Sequence, residues 1–205
     1  MRQPELIVWD FDGVLNANIR ATATGGRMLW AERMQEDLGL DPASLAAHLS
    51  RSGLMRDVMR GRHDIHDLLT DWLRAQDAPL DADALLAYWF DRNALPDAQV
   101  LGWLKAHPAR HVIGTNNEAR RASYIEHQMG FGQHVEHIFA SGRMGVAKPD
   151  PGFFATVERW ARLTPPQILL IDDAPANIAA ARARGWQAFL FNDDTRASLP
   201  DRLGL

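Results

Sequence analysis

The chain of 205 residues has the length of one domain, or of one domain that carries a large insertion. With 46% hydrophobic and 23% charged residues, it has the composition of a globular protein with a substantial core. The formal charge of −4 offers no positive field to nucleic acid or anionic lipid, and the absence of cysteine excludes disulfides, thiolate metal sites and cysteine nucleophiles. No apolar stretch approaches the roughly 18 residues of a spanning helix. We therefore expect a cytoplasmic protein that binds neither nucleic acid nor membrane.

Short apolar runs recur along the chain and predict the strands of a parallel sheet. Each run has the length of a strand and is bounded by Gly, Pro, Asp or Asn, which fits strands that are buried on both faces. The runs are 6–9, 111–115, 138–140, 168–171 and 188–191.

Stretches of helical character separate these runs. Residues 96–106 precede the second run and residues 118–129 follow it. Asp150-Pro151 has the form of an N-cap followed by proline at the first helical position, and it opens a helix through about residue 162. An alanine-rich helix over 174–184 then ends at Gly185. Strands that alternate with helices predict an α/β fold with a doubly wound, Rossmann-like parallel sheet.

The region between the first two strands has a different pattern. It contains no convincing strand, and Asp41-Pro42 and Asp81 have the character of helix starts. Its apolar residues fall at helical spacing. They are Ile65, Leu68, Leu69, Trp72 and Leu73; Trp30, Met34 and Leu38; and Leu85, Leu86, Trp89 and Phe90. We therefore predict a core domain of residues 1–15 and 96–205, interrupted by a helical domain of residues 16–95.

Polar side chains follow the predicted strands at the points where the strands end. They are Asp10 and Asp12 after the first strand, Thr115 and Asn116 after the second, Lys148 after the third, and Asp172, Asp173 and Asn177 after the fourth. Ligands of open α/β sheets bind beyond the carboxyl ends of the strands, so we expect these groups to converge.

The types of side chain in this set indicate a chemistry. Facing carboxylates repel each other unless a cation lies between them, and oxygen ligands without cysteine favour Mg²⁺, which commonly serves a phosphate. A lysine beside such a cation can hold a phosphoryl group. An aspartate can then act as the nucleophile through an aspartyl-phosphate, and a second carboxyl group two residues away can move the proton.

The ordered set DFDGV…TN…KPD…DDxxxN resembles the haloacid dehalogenase superfamily, and its phosphatase branch in particular. The resemblance covers the whole chain, because the helical domain is similar to the small cap of that branch. It implies a role for each residue of the set. Asp10 is the nucleophile and a metal ligand; Asp12 is the general acid/base and ligates Mg²⁺ through its backbone carbonyl; Thr115 and the Asn116 amide bind phosphate; Lys148 steadies nucleophile and phosphate.

The same resemblance indicates which of the two adjacent acids, Asp172 or Asp173, binds the metal directly. Asp173 fits the direct metal ligand because Asn177 follows it at the interval of four residues that the family uses, and Asp172 then lies behind it. The reverse order stays open.

The resemblance also narrows the reaction. The dehalogenases lack an acid two residues after the nucleophile, so Asp12 favours phosphate ester hydrolysis over cleavage of a carbon–halogen bond. The segments GTNN, GVAKPDPGFF and IDDAPANIAAA resemble sugar-phosphate phosphatases, including glucose-1-phosphatase-like proteins. The leading hypothesis is Mg²⁺-dependent hydrolysis of a small phosphomonoester, such as a sugar phosphate or a related metabolite, by a monomer or homodimer. The alternatives are a phosphotransferase such as a sugar phosphomutase, and a non-catalytic binding protein.

Other charged and aromatic residues receive structural interpretations. Arg120 and Arg121 begin a helix face, and we expect both to be solvated. Arg20, Arg27 and Trp30 follow the first motif, where a cap can meet a substrate. They are candidates for substrate selection, although packing or solvation is the favoured role for each.

Overall fold

The computed structural model describes residues 3–17 and 29–205. In this part of the chain, all strands are parallel and form one sheet in the order β3-β2-β1-β4-β5. The strands are β1 (Leu6–Trp9), β2 (Arg110–Thr115), β3 (His137–Ala140), β4 (Ile168–Asp172) and β5 (Gln187–Leu190). Every predicted strand is confirmed, and each end lies within one residue of its predicted position. The strand order reverses at β1, so a ligand crevice is expected beyond its carboxyl end.

Helices fill the connections between the strands. They are α1 (Met34–Leu38), α2 (Pro42–Leu49), α3 (Leu54–Val58), α4 (Ile65–Ala75), α5 (Ala82–Arg92), α6 (Ala98–Ala106), α7 (Ala119–His127), α8 (Ser141–Met144), α9 (Pro151–Ala161), α10 (Pro175–Ala183) and α11 (Leu199–Leu203). Short 3₁₀ turns cover Leu29–Ala31, Arg51–Gly53, Phe131–Gln133, Pro165–Gln167 and Arg196–Ser198. None of these helices combines the length and the apolar character that a membrane crossing needs.

The central strand, β1, packs against a different apolar cluster on each face of the sheet. Ile7 and Trp9 point into one cluster, to which α6, α7 and α11 contribute, while Leu6 and Val8 point into a second cluster with α9 and α10. All four residues are fully buried. Helices therefore cover both faces, and the predicted doubly wound α/β fold is confirmed.

Aspartates begin several helices at the predicted positions. The Asp41 side chain accepts hydrogen bonds from two backbone N–H groups at the start of α2, and the Asp81 side chain accepts one at the start of α5. Asp150 caps α9, and Pro151 occupies its first position. These caps satisfy N–H groups that have no partner within the helix.

Helices α1 to α5 lie between β1 and β2 and pack around an apolar cluster of their own. The predicted stripes supply most of this cluster: Met34, Leu69 and Leu85 are fully buried in it. Trp30 stacks on Trp89 with ring centroids 4.4 Å apart. This packing gives the helices a core that is separate from the two clusters of the sheet.

The chain leaves the sheet near residue 17 and returns to it near residue 95, and these two passages lie side by side. The backbone N–H of Ala17 donates to the carbonyl of Leu95. The Asn16 side chain accepts from the Leu95 N–H at 2.7 Å and donates to the Asn93 carbonyl at 2.8 Å. Asn16 therefore fixes the returning passage close to the loop that follows β1.

Candidate active site

The site is built on Asp10, the first residue after β1. Its Oδ1 accepts the Phe11 N–H at 2.7 Å and lies 3.0 Å from Lys148 Nζ. Lys148 Nζ also lies 2.6 Å from Asp172 Oδ2 and donates to the Gly114 carbonyl. One buried ammonium therefore links β1, β2 and β4 at their carboxyl ends.

The charges of the site do not balance. Burial works to lower the pKa of Lys148, but the Asp10 and Asp172 carboxylates beside it outweigh burial and raise that pKa. Burial, and then repulsion from Asp172, raise the pKa of Asp10 well above its usual value, and the same causes raise the pKa of Asp173 to about 6. A single lysine does not offset this excess of negative charge.

Asp10, Asp172 and Asp173 each offer a carboxylate oxygen, and these oxygens lie within 4.8 Å of one another. Among the described residues, no other group of three or more potential ligands is this close. Carboxylate oxygens without nitrogen or sulfur suit a hard divalent cation, which would also relieve their repulsion. The donor set therefore fits Mg²⁺.

The two neighbouring acids at the end of β4 differ in their partners. Asp172 is fully buried, and its oxygens accept from Lys148, from the Asn177 side chain and from the Ala174 N–H. Asp173 is only partly buried. Protein donors thus surround Asp172, and Asp173 stands at the more open side of the cluster.

The hydroxyl predicted to bind phosphate lies at the end of β2. Thr115 is 1% exposed, and its Oγ1 accepts from Asn117 Nδ2 at 2.8 Å. The same Nδ2 donates to Asp12 Oδ2 at 2.8 Å. Asn117 therefore ties the two predicted reaction groups together, a role that the sequence did not reveal.

The Asn116 amide contacts the backbone of the lysine. Its Nδ2 donates to the Lys148 carbonyl at 2.8 Å, and its Oδ1 accepts from the Lys148 N–H at 2.9 Å. The side chain thus fixes the loop that presents Lys148. A direct contact of Asn116 with substrate stays a prediction.

The expectation for Arg121 is wrong, because this residue is buried. It is 4% exposed, and its Nη2 lies 3.0 Å from Asp12 Oδ1. Arg120 points outward, with a side chain that is 42% exposed and pairs with Asp64 at 2.8 Å. The phase of α7 explains the difference, since Arg121 shares the inward face with Ile125, four residues later. This four-residue spacing was the signal in the sequence that could have predicted the burial of Arg121.

The candidates for substrate selection are only partly described. Trp30 is 5% exposed and packs among the helices, which is the structural role favoured for it. Arg20 and Arg27 lie outside the described residues.

The fold and the site together define an α/β enzyme whose predicted site residues meet where the order of a parallel sheet reverses. A family model described as haloacid dehalogenase-like hydrolase matches residues 4–185. The chain therefore belongs to the haloacid dehalogenase-like hydrolases, and the predicted family and hydrolase class are confirmed.

Two curated relatives come from Pseudomonas putida. The chain is 29% identical over 190 residues to a phosphoglycolate phosphatase of strain KT2440, covering 90% of this chain and 68% of the relative. It is 28% identical over 162 residues to a probable phosphoglycolate phosphatase, covering 76% of this chain and 64% of the relative. The chain thus spans about two thirds of the length of these relatives.

Solved structures share the fold at low sequence identity. A predicted HAD-like family hydrolase from Porphyromonas gingivalis superposes with a TM-score of 0.76 at 19% identity over 98% of both chains. A HAD family enzyme from Bacteroides thetaiotaomicron, in complex with magnesium and inorganic phosphate, gives 0.73 at 16% identity over 91% of this chain and 93% of that one. A 2-haloacid dehalogenase from Pseudomonas syringae pv. Tomato gives 0.67 at 21% identity over 98% and 99%.

Proposed function

We propose that this protein is a Mg²⁺-dependent phosphatase that hydrolyses a small phosphomonoester through an aspartyl-phosphate on Asp10. The observation that carries the proposal is the cluster of Asp10, Lys148, Asp172 and Asp173 at the carboxyl end of β1. The printed activity of the two Pseudomonas putida relatives supports a phosphate ester, and the magnesium and phosphate bound to the Bacteroides enzyme support the pairing of this ion with this ligand.

The metal ligands in this proposal are side chains of Asp10 and Asp173 and the backbone carbonyl of Asp12. Asp172 lies behind them and holds Lys148, because its oxygens already accept from protein donors. Bound Mg²⁺ supplies positive charge that offsets the carboxylates and attracts the phosphoryl oxygens. Lys148 adds a second positive charge on the side of β4.

The chain's own residues then divide the reaction into two displacements. The Asp10 carboxylate attacks phosphorus, the bond from phosphorus to the ester oxygen breaks, and Asp12 gives its proton to the departing oxygen. Asp12 next takes a proton from water, whose oxygen attacks phosphorus and releases Asp10 and inorganic phosphate. Thr115 and Lys148 hold the phosphoryl oxygens during both displacements.

The helical domain proposed for residues 16–95 would act as the cap over this site. Supporting this, Asn16 ties the passage that returns from α5 to the loop carrying Asp12. The proposed substrates are small: sugar phosphates from the sequence resemblance, and phosphoglycolate from the names of the relatives. The proposed location of this activity is the cytoplasm.

Release of inorganic phosphate from a panel of esters tests the proposal. The panel contains phosphoglycolate, hexose phosphates, nucleotides and p-nitrophenyl phosphate, each with Mg²⁺ and with a chelator. We expect Mg²⁺-dependent release by the wild type and none by Asp10→Asn. No release from any ester, or equal release by Asp10→Asn, would overturn the proposal. Isomerised sugar phosphate in place of inorganic phosphate would indicate a mutase instead.

A further inference from the structure

The Asp12 carboxylate is held by donors from both sides. Asn16 Nδ2 donates to its Oδ1 at 3.0 Å from within the same loop. Arg121 Nη2 donates to the same oxygen at 3.0 Å, while Asn117 Nδ2 donates to Oδ2 at 2.8 Å. Because Arg121 and Asn117 bind different oxygens, together they fix both the position and the plane of the carboxylate.

Arg121 itself is enclosed by the protein. An arginine that is 4% exposed is costly to bury unless an acceptor faces its guanidinium, and the Asp12 carboxyl group supplies that acceptor. On its other side the guanidinium carbon lies 5.9 Å from the ring centroid of Phe90, on α5. The start of α7 is fixed in turn, since the Glu118 side chain accepts the Arg120 and Arg121 N–H groups. Arg121 thus has little freedom to move away from Asp12.

We propose that Arg121 is the positioning residue for Asp12, and that it aligns this carboxyl group for proton transfer to the departing oxygen. The inference rests on the proposed phosphatase function, in which Asp12 is the acid/base. The Arg121 guanidinium contacts the side chain of Asp12, so its proposed effect passes through that carboxyl group.

Esters with different departing oxygens separate proton transfer from the other steps. An alkyl phosphate needs a proton on its departing oxygen, whereas p-nitrophenolate departs without one. The ratio kcat/KM reports the steps up to release of the alcohol, and so it isolates the first proton transfer. A misplaced Asp12 should lower kcat/KM for the alkyl ester selectively.

The central variant is Arg121→Met, which keeps much of the length of the side chain and removes the guanidinium. We expect kcat/KM to fall by about 10- to 100-fold for an alkyl phosphate and by less than about threefold for p-nitrophenyl phosphate. Arg120→Met is the matched control, because its side chain lies on the outer face of the same helix and pairs with Asp64. It should leave kcat/KM unchanged for both esters.

Arg121→Lys tests the geometry while retaining the charge. A lysine lacks the planar fork of the guanidinium, so we expect a smaller fall in kcat/KM for the alkyl phosphate than in Arg121→Met. The dependence of kcat/KM on the leaving group should still be steeper than in the wild type. Equal losses for both esters, or no loss in a folded variant, would overturn the positioning role. Failure of both Arg121 variants to fold would assign Arg121 to stability and would also overturn it.

These outcomes are distinct from failure of the proposed function. If the wild type hydrolyses neither ester with Mg²⁺, the phosphatase proposal fails. If the wild type is active and Asp10→Asn is inactive, the Arg121 variants decide the positioning role alone.

Discussion

Asp172 and Asp173 are adjacent in the sequence but have different surroundings. Asp172 is fully buried against Lys148 and the Asn177 amide. Asp173 is partly buried, and burial together with the Asp172 charge raises its pKa to about 6. A cation beside Asp173 would reduce this repulsion. These surroundings agree with the different tasks proposed for the two acids, Asp172 in holding Lys148 and Asp173 in metal binding.

Asp173→Asn should weaken Mg²⁺ binding without weakening the fold. We expect the Mg²⁺ concentration for half-maximal phosphate release to rise by at least about tenfold. Without metal, the melting temperature should stay the same or rise, because the substitution removes one of the repelling carboxylates. A Mg²⁺ titration of activity and a thermal unfolding curve in chelator measure the two effects.

Asp172→Asn is the matched comparison at the neighbouring position. It removes one charged partner of the buried Lys148 while Asp10 stays 3.0 Å away, so we expect a loss of about 1.5–3 kcal/mol in the free energy of unfolding, with or without metal. The opposite pattern, in which Asp173→Asn unfolds the protein and Asp172→Asn only weakens Mg²⁺ binding, would reverse the assignment of the direct ligand.

The sequence identified which polar side chains gather at the site, but not all their contacts. Parallel strands share a direction, so residues at their ends must meet at one edge of the sheet. The contact between Arg121 and Asp12 spans 109 positions in the chain and depends on the rotation of α7. Neither the composition nor the strand pattern contains that rotation. The spacing of Arg121 and Ile125 indicated a shared helix face, but the partner of Arg121 emerged only from the packed structure.

At the scale of elements, the turn after α3 packs its backbone directly against the backbone of α8. Gly61 has φ +67°, and a Cβ on it would overlap the carbonyl oxygen of Gly142 at α8. A Cβ on Gly142 would in turn come within 2.7 Å of the Glu118 Cα, beside the start of α7. Neighbouring side chains cannot relieve such overlaps by changing rotamer, because the obstructing atoms are backbone.

Gly61→Ala should therefore destabilise the protein more than Gly39→Ala does. Gly39 has φ +70° and no atom within 4 Å of an added Cβ, so it isolates the cost of the left-handed backbone, about 1 kcal/mol. We expect Gly61→Ala to cost roughly 1–3 kcal/mol more, because of overpacking. Urea unfolding of the two variants measures the difference; equal losses would show that the turn can move away from Gly142.

His111 on β2 is buried beside Trp9 on β1, and its hydrogen bonds fit the neutral form of its ring. Trp9 Nε1 donates to His111 Nδ1 at 3.1 Å, so the proton of the ring lies on Nε2 and is donated to the His107 carbonyl at 2.9 Å. Burial holds the pKa of His111 below its usual value. A second proton would point at the Trp9 N–H group, which cannot accept it.

This arrangement predicts a loss of stability in acid. The unfolded chain takes up the His111 proton at a higher pH than the folded chain, so its contribution is complete above about pH 6.5 and falls as the pH drops toward the folded pKa. The loss can reach about 1.4 kcal/mol per pH unit. We expect the free energy of unfolding to fall less in His111→Gln than in the wild type between pH 7.5 and 5.5. An equal fall in the two proteins over this range would contradict the prediction.

The sequence predicted the strands more closely than the helix ends. Strands buried on both faces need unbroken apolar runs, and these runs have sharp limits in the sequence. Helix α7 covers Ala119–His127, whereas the pattern predicted 118–129. Glu118 caps this helix from outside, and nothing in the local pattern separates a capping residue from the first turn.

At the scale of the whole molecule, the helices between β1 and β2 contact the core beside the proposed reaction groups. Arg120 joins Asp64 at the start of α4, and the Arg121 guanidinium lies near the Phe90 ring of α5. Asn16 connects the loop after β1 to the passage that returns from α5. A movement of these helices would therefore reach the surroundings of Asp12, and the proposed cap role depends on such a connection.

The most direct test of the central claim is detection of the covalent intermediate. The wild type is mixed with Mg²⁺ and an ester that the panel shows to be hydrolysed, quenched in acid within one turnover, digested and analysed by mass spectrometry. The account predicts one phosphoryl group on the peptide that contains Asp10, and none in Asp10→Asn treated in the same way. Rapid hydrolysis with no phosphorylated peptide, or a phosphoryl group on another residue, would contradict it.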